Sequence, residues 1–297
     1  MVFIGFPDRR REVPFRLLVP NLLTTVALCS GMASIHFSLK ASAAAAAGEP
    51  TSAAGLLRIN DWEKAMAAIF VAAIFDMLDG RAARLLKAQS PFGAMLDSLS
   101  DFLAFGVAPG VLLHQWTLKD ATVLGKDADA FALAAVMTFI LCSALRLARF
   151  TAATRQVRTP HGQMPPPQPD TRPNPVASMF FVGMPTPAAA AAVLIPPMME
   201  NSSKIGYRIP DYLVIGFTFL VAGMMISRLP MYSFKKVRIP RRLVAPLMVI
   251  IGLLVVLAAK HPWLTGTVLA GGYLLTTPLS ILAYRKMQRV AAQHTPP

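Results

Sequence analysis

The fold class expected from the sequence is all-α: a polytopic membrane helix bundle of about eight transmembrane helices. Three observations lead there. The 297 residues are 55% hydrophobic and only 15% charged, with mean hydropathy +0.51, whereas soluble domains carry about 25% charge. Several apolar runs reach or exceed the roughly 18–20 residues that a helix needs to cross hydrocarbon. The basic residues gather in the gaps between those runs. Together these exclude a disordered chain and argue against an ordinary soluble enzyme. The balance of 29 Lys and Arg against 15 Asp and Glu, formally +14, would suggest nucleic acid in a soluble protein. Placed between apolar runs, it suggests topology signals and contact with anionic lipid instead, and no nucleic-acid partner.

The elements follow in order. Residues 1–16, with Arg9, Arg10, Arg11 and Arg16, read as a basic cytoplasmic arm; no small-residue cleavage site follows a short core, so a signal peptide is not expected. The first span is expected over 17–39, followed by an alanine-rich loop at 41–54. Spans two and three, 62–80 and 93–115, flank a short turn in which Ser90-Pro91 fits an N-cap followed by proline at the first helical position. Span four covers 129–151. The stretch 156–176 holds seven prolines and reads as an extended cap. Span five is expected over 177–199, kinked near Gly183 by Pro185 and Pro187. Span six covers 211–229. The basic stretch 228–242 reads as an anchor for anionic lipid, and spans 243–260 and 263–283 form a tight hairpin around Lys260, His261 and Pro262. The division is thus a six-span core at 17–229, a basic loop with a two-helix hairpin at 230–285, and a cytoplasmic tail at 286–297. Trp62, Trp116 and Trp263 fall at span edges and read as interfacial belt residues. Cys29 and Cys142 lie inside apolar runs, a pattern for neither a disulfide framework nor a zinc site.

With eight spans, 21 basic residues fall on one side and 8 on the other. The positive-inside bias then puts both termini in the cytoplasm.

The informative residues are carboxylates inside apolar runs. Asp76 and Asp79 close the run AMAAIFVAAIFDMLDG, and Asp97 and Asp101 lie within FGAMLDSLSDFLAFGVAPG. An Asp at the centre of a span costs about 2.5–3.5 kcal/mol, and ionisable residues there are functional by default. Asp76 and Asp79 are three apart and Asp97 and Asp101 four apart, so each pair shares one helical face. The short turn makes the two helices antiparallel neighbours whose pairs can meet near the cytoplasmic surface. Four ionised carboxylates match the charge of two divalent cations, and oxygen-only ligands suit hard ions such as Mg²⁺ or Mn²⁺. Gly80 and Ala83 are small enough for a base and a diphosphate to approach the backbone, and Arg84 offers a bidentate fork for phosphate. Gly93 permits close helix packing in lipid. The competing reading from another class is a cation transporter, which would place carboxylates toward the midplane with a second acidic cluster in a repeat-related position.

Written together, Asp76-x2-Asp79-Gly80-x2-Ala83-Arg84-x8-Gly93-x3-Asp97-x3-Asp101 resembles the signature of the CDP-alcohol phosphatidyltransferase family at every fixed position. Further segments resemble the bacterial membrane-integral phosphatidylserine-forming branch of that family: Pro20-Asn21-Leu22-Leu23-Thr24, Ser100 to Gly110, Ser143 to Phe150, and Gly183 to Ala190. Thr151 departs from that pattern, where Asn is expected. The resemblance implies an integral protein of the bacterial inner membrane, commonly a homodimer, with its site on the cytoplasmic side. It implies CDP-diacylglycerol and L-serine as substrates, with phosphatidylserine and CMP as products. It also implies Asp76, Asp79 and Asp97 as ligands of two divalent cations, and Asp101 as general base while also touching the second ion. Gly80, Ala83, Arg84, Asp79 and Gly93 would hold the CDP-lipid. Arg146 and Arg149, spaced i,i+3, are candidates for the acceptor or a phosphate, as are Asn21 and Thr24. Glycerol 3-phosphate or an inositol phosphate remain alternative acceptors, because they too would call for arginine. No Ser-His or Cys-His arrangement is evident, which favours direct displacement over a covalent intermediate.

Overall fold

A computed structural model describes residues 15–48, 60–118, 126–156, 180–202, 205–227, 230–232 and 241–293. The N-terminal arm with Arg9, Arg10 and Arg11, most of the proline-rich stretch, most of the basic 228–242 segment and the last four residues of the tail lie outside them.

Two long helices form the centre. α1 (Phe15–Ala46) and α2 (Asp61–Leu85) pack antiparallel along their length. Thr24 meets Asp79 at one end, and Lys40 meets Asp61 at the other. α1 runs well past the expected end of the first span, into the first part of the stretch expected as a loop. Alanine has the highest helix propensity of any residue, and Ala41 is fully buried, so residues 41–46 extend the helix. α2 begins with a capping box: Asn60 Oδ1 accepts from the Glu63 N–H, and the Asn60 N–H donates to the Glu63 carboxylate, both at 2.8 Å. At this end Asp61 is buried and bonded by Lys64 Nζ at 2.7 Å, and Trp263 Nε1 donates to Glu63 at 2.7 Å.

The third expected span is a single stack with a defect. α3 (Pro91–Phe102) passes through a π-helical turn (Leu103–Val107) into α4 (Ala108–Leu118). The wider turn is visible in the Ala108 N–H, which bonds the Leu103 carbonyl five residues back. α5 (Lys126–Gln156) packs against α8 (Asp211–Ile226). Phe105, Leu112, Trp116 and Phe139 are among the largest fully enclosed side chains of these elements.

The fifth expected span is not one helix. A short strand, β1 (Phe180–Val182), pairs antiparallel with β2 (Pro230–Tyr232), and α6 (Thr186–Val193) and α7 (Ile195–Asn201) follow in sequence. Pro185 and Pro187 do not kink a helix. They start one, at positions where the missing N–H would have been unpaired in any case. The break between α6 and α7 falls just before Pro196-Pro197, which cannot continue the backbone ladder. α9 (Val244–Lys260) and α10 (Pro262–Gln293) form the expected hairpin. α9 has no buried residue, with Met248, Val249 and Leu253 fully out of the core, as a helix facing lipid would have.

Among the described residues three helical stretches are long and apolar enough to cross a membrane: Leu18–Ala46, Pro91–Thr117 and Asp129–Ala152. Asp211–Ile226 and Val244–Lys260 are apolar but shorter. The chain is thus a mainly helical membrane protein. Eight spans are not shown among the described residues: the helices holding the expected spans 62–80 and 263–283 are not among the three that qualify, and the expected fifth span is broken. The three tryptophans stand at helix ends as expected, yet all are turned into the bundle: Trp62 and Trp116 are buried in the core, and Trp263 is held by Glu63.

Gly183 is the tightest backbone position. Its φ is +76°, and a Cβ there would lie 2.7 Å from the Met225 carbonyl oxygen and 2.9 Å from that of Ser227. Gly183→Ala is expected to lower stability by about 1–3 kcal/mol, measured by thermal unfolding in detergent. Gly216→Ala, on α8 with open space around it, is expected to stay within about 1 kcal/mol of the parent.

Candidate active site at the acidic helix pair

The site is assembled at the end of the bundle where α2 stops and α3 starts. α2 ends in a C-cap loop in which the Ala88 N–H bonds the Ala83 carbonyl at 2.9 Å and Lys87 adopts φ +50°, a left-handed conformation usually given to glycine. Ser90 then caps α3, its Oγ accepting from the Gly93 N–H at 2.9 Å with Pro91 at the first helical position, as the sequence predicts. The turn thereby reverses the chain. Asp76 of α2 comes to face Asp97 and Asp101 of α3, and α1 packs on both helices.

Carboxylate oxygens of Asp76, Asp97 and Asp101 come within 4.8 Å of one another. Asp76 and Asp101 are close enough to share a hydrogen bond, and Asp101 Oδ1 is buried without a partner. Asp79 stands slightly apart. It is 4% exposed, and the Thr24 hydroxyl donates to its Oδ2 at 2.6 Å, with the Pro20 carbonyl as a second acceptor 3.0 Å away. Among the described residues no second group of three potential metal ligands occurs. The donor set fits a divalent cation: three convergent carboxylates with no nitrogen or sulfur favour a hard ion, and the unpartnered Asp101 oxygen is one that an ion would satisfy.

Beside the trio opens a cavity of about 540 Å³ lined by residues of α1, α2, α3 and α5. Asp79 and Asp97 form its acidic wall. Gly80, Ala83 and Arg84 line it from α2, Gly93 from α3, and Pro20, Asn21 and Thr24 from α1, with Phe150 of α5 at its border. Nothing approaches within 4 Å of where a Gly80 Cβ would lie, so the small side chain there leaves room for a ligand. A Cβ on Gly93 would lie 2.8 Å from Asn21 Oδ1, so glycine there lets α1 close on α3. Arg84 Nε donates to the Gly80 carbonyl at 2.9 Å, which fixes the root of the guanidinium on the cavity wall.

The structure brings together most of the residues singled out from the sequence, but not all. Thr24 lines the cavity with its hydroxyl bonded to Asp79. Arg146 lies deeper, its Nη1 donating to Thr186 Oγ1 at 3.2 Å and its charge within reach of Asp101. Arg149 is exposed whereas Arg146 is half-buried, so the i,i+3 pair splits into one inward and one outward arginine, and neither lines the cavity. Sequence reasoning missed Gln89 in the wall and Thr186 as the partner of Arg146. The signal for Thr186 was a lone hydroxyl in a proline- and alanine-rich segment.

Comparisons with known proteins find relatives over most of the chain. A family profile for CDP-alcohol phosphatidyltransferases matches residues 17–227. A CDP-diacylglycerol–serine O-phosphatidyltransferase of Mycobacterium tuberculosis is 30% identical over 294 residues, covering 98% of this chain and 86% of its own. The protein of the same name from Helicobacter pylori is 29% identical over 223 residues, 74% of each chain. Another of that name, from Methanocaldococcus jannaschii, is 45% identical over 82 residues, 28% of this chain and 36% of its own.

Thr24→Val keeps the shape of the side chain but leaves Asp79 buried without its donor. The expected loss of stability is about 1–3 kcal/mol, read by thermal unfolding, and Thr24→Ser is expected to restore most of it.

Proposed function

The chain belongs to the CDP-alcohol phosphatidyltransferase family, and on that premise we propose that it moves the phosphatidyl group of CDP-diacylglycerol onto L-serine, forming phosphatidylserine and releasing CMP. The observation that carries the reading is the convergence of Asp76, Asp97 and Asp101 beside a cavity walled by Gly80, Ala83 and Arg84. Serine as acceptor is supported by the names of relatives matched over nearly the whole chain. A transporter requires neither the small residues nor Arg84, and the family match removes its support.

In this reading Asp76, Asp79, Asp97 and Asp101 would hold two divalent cations, Mg²⁺ or Mn²⁺. Bound there, the ions would neutralise charge that builds on the transferring and leaving oxygens. The open backbone at Gly80 and Ala83 admits the cytidine and diphosphate, and Arg84 binds a phosphate oxygen pair. Gly93 keeps α1 and α3 close enough for Asn21 to close the cavity. Thr24 holds Asp79 in one rotamer. The acyl chains stay in the bilayer, and the site faces the cytoplasm, where serine is supplied. Asp101, farthest from the end of the helix pair, takes the proton of the serine hydroxyl as its oxygen forms the new bond to phosphorus. The bond from that phosphorus to the CMP oxygen breaks in the same displacement. Arg146, the inward arginine, balances the negative charge of the acceptor.

Asp101→Asn is expected to lower CMP release at least about 100-fold while retaining CDP-diacylglycerol binding; equal loss of binding would make Asp101 a ligand rather than a base. The same assay tests the acceptor. Release that depends on serine and a divalent ion supports the reading, whereas release driven by glycerol 3-phosphate or an inositol phosphate overturns it.

A further inference from the structure

The cavity beside the acidic trio holds about 540 Å³, the size of a site for a small organic ligand rather than for ions alone. Among the described residues α5 enters its lining through Phe150 only, and Phe150 is the one aromatic residue there. The side chain is 66% exposed. Leu141 and Leu145, earlier on α5, are exposed as well but line no part of the cavity. Lipid is the ordinary cover for apolar side chains on a membrane helix. Phe150 differs in bordering a chamber walled by Asp79, Asp97 and Arg84, where an apolar ring meets water until a ligand covers it.

On α2 the same cavity is lined by a strip with almost no side chain. Nothing lies within 4 Å of where a Gly80 Cβ would be, and Ala83, three residues on, falls on the same helical face. Asp79 and Arg84 flank this strip in the chain. Bare backbone and an exposed ring bordering one space suit a flat aromatic group, since any base presents a π-face that stacks on an aromatic side chain. The charged residues at the ends of the strip suit the ions and phosphates attached to such a group.

We propose that Phe150 binds the nucleobase of the nucleotide-linked lipid: its ring stacks on one face of the base while the Gly80–Ala83 backbone takes the other. The inference rests on the CDP-diacylglycerol reading and deepens it. It adds to the nucleotide site a contact from α5, outside the acidic helix pair and its motif. With the base in this slot, the diphosphate runs toward Arg84 and the acidic wall.

The test separates base from phosphate. CMP and ribose 5-phosphate, which is CMP without its base, compete with labelled CDP-diacylglycerol for the full-length protein in detergent with Mg²⁺. Phe150→Leu is expected to weaken competition by CMP about tenfold and to leave that by ribose 5-phosphate within about twofold. Phe150→Tyr, which keeps the ring, is expected to stay within about threefold of the parent for both. Phe150→Trp places a fluorophore in the slot, and CMP is expected to quench its emission where ribose 5-phosphate does not, beyond any change in the parent's own tryptophans. Unchanged competition by CMP in Phe150→Leu overturns this inference alone, as does an equal loss for CMP and ribose 5-phosphate. Weaker binding of CDP-diacylglycerol to Phe150→Leu with CMP affinity intact shows that the ring meets the acyl chains, and overturns it too. Failure of CMP to compete in the parent protein removes the underlying reading along with it.

Discussion

Four carboxylates inside an apolar helical bundle are the constraint around which the rest of the structure is arranged. In hydrocarbon each would be costly alone, and repulsion among them would push the helices apart. The fold nevertheless brings them together. Asp76, Asp97 and Asp101 bring oxygens within 4.8 Å of one another, and Asp79 is tethered by Thr24. The divalent cations proposed above would offset such a set.

The surrounding architecture keeps that convergence in place and leaves space beside it. The Lys87 turn and the Ser90 cap reverse the chain within a few residues, fixing which faces of α2 and α3 oppose each other. α1 lies against both and supplies Thr24 and Asn21. Small residues at 80, 83 and 93 turn what would be a packed seam into a cavity. At the far end a separate polar group, the Asn60–Glu63 capping box with Trp263 and the buried Asp61 with its lysines, ties α1, α2 and α10 together. The bundle is therefore held at one end by satisfied ion pairs and hydrogen bonds, and left open at the other for ligands.

Much of this was legible in the residues. Helical spacing placed each pair of aspartates on one face, and the Ser90-Pro91 cap and the α9–α10 hairpin follow from local rules. What escaped had physical reasons. The alanine tract at 41–46 looked like low complexity, but alanine's helix propensity carried α1 through it. Pro185 and Pro187 were read as kinks because an apolar run hides where a helix starts. The π-helical turn at 103–107 leaves no periodic signature because LAFGV is apolar throughout, so the one-residue shift of phase has no polar position to displace. Tryptophans at span edges suggested lipid contact, whereas tertiary partners such as Glu63 drew them inward. Spacing alone also could not divide Arg146 from Arg149, because which arginine faces inward depends on α6 and the acidic trio.

The most direct measurement is a manganese titration of the purified protein followed by electron paramagnetic resonance. The account predicts bound ions that saturate at two per chain and are lost or weakened at least about tenfold in Asp76→Asn and Asp97→Asn, with binding unchanged in Asp129→Asn, an exposed acidic residue on α5. Manganese binding that is indifferent to Asp76 and Asp97, or absent from the parent protein in the presence of CDP-diacylglycerol, would contradict it.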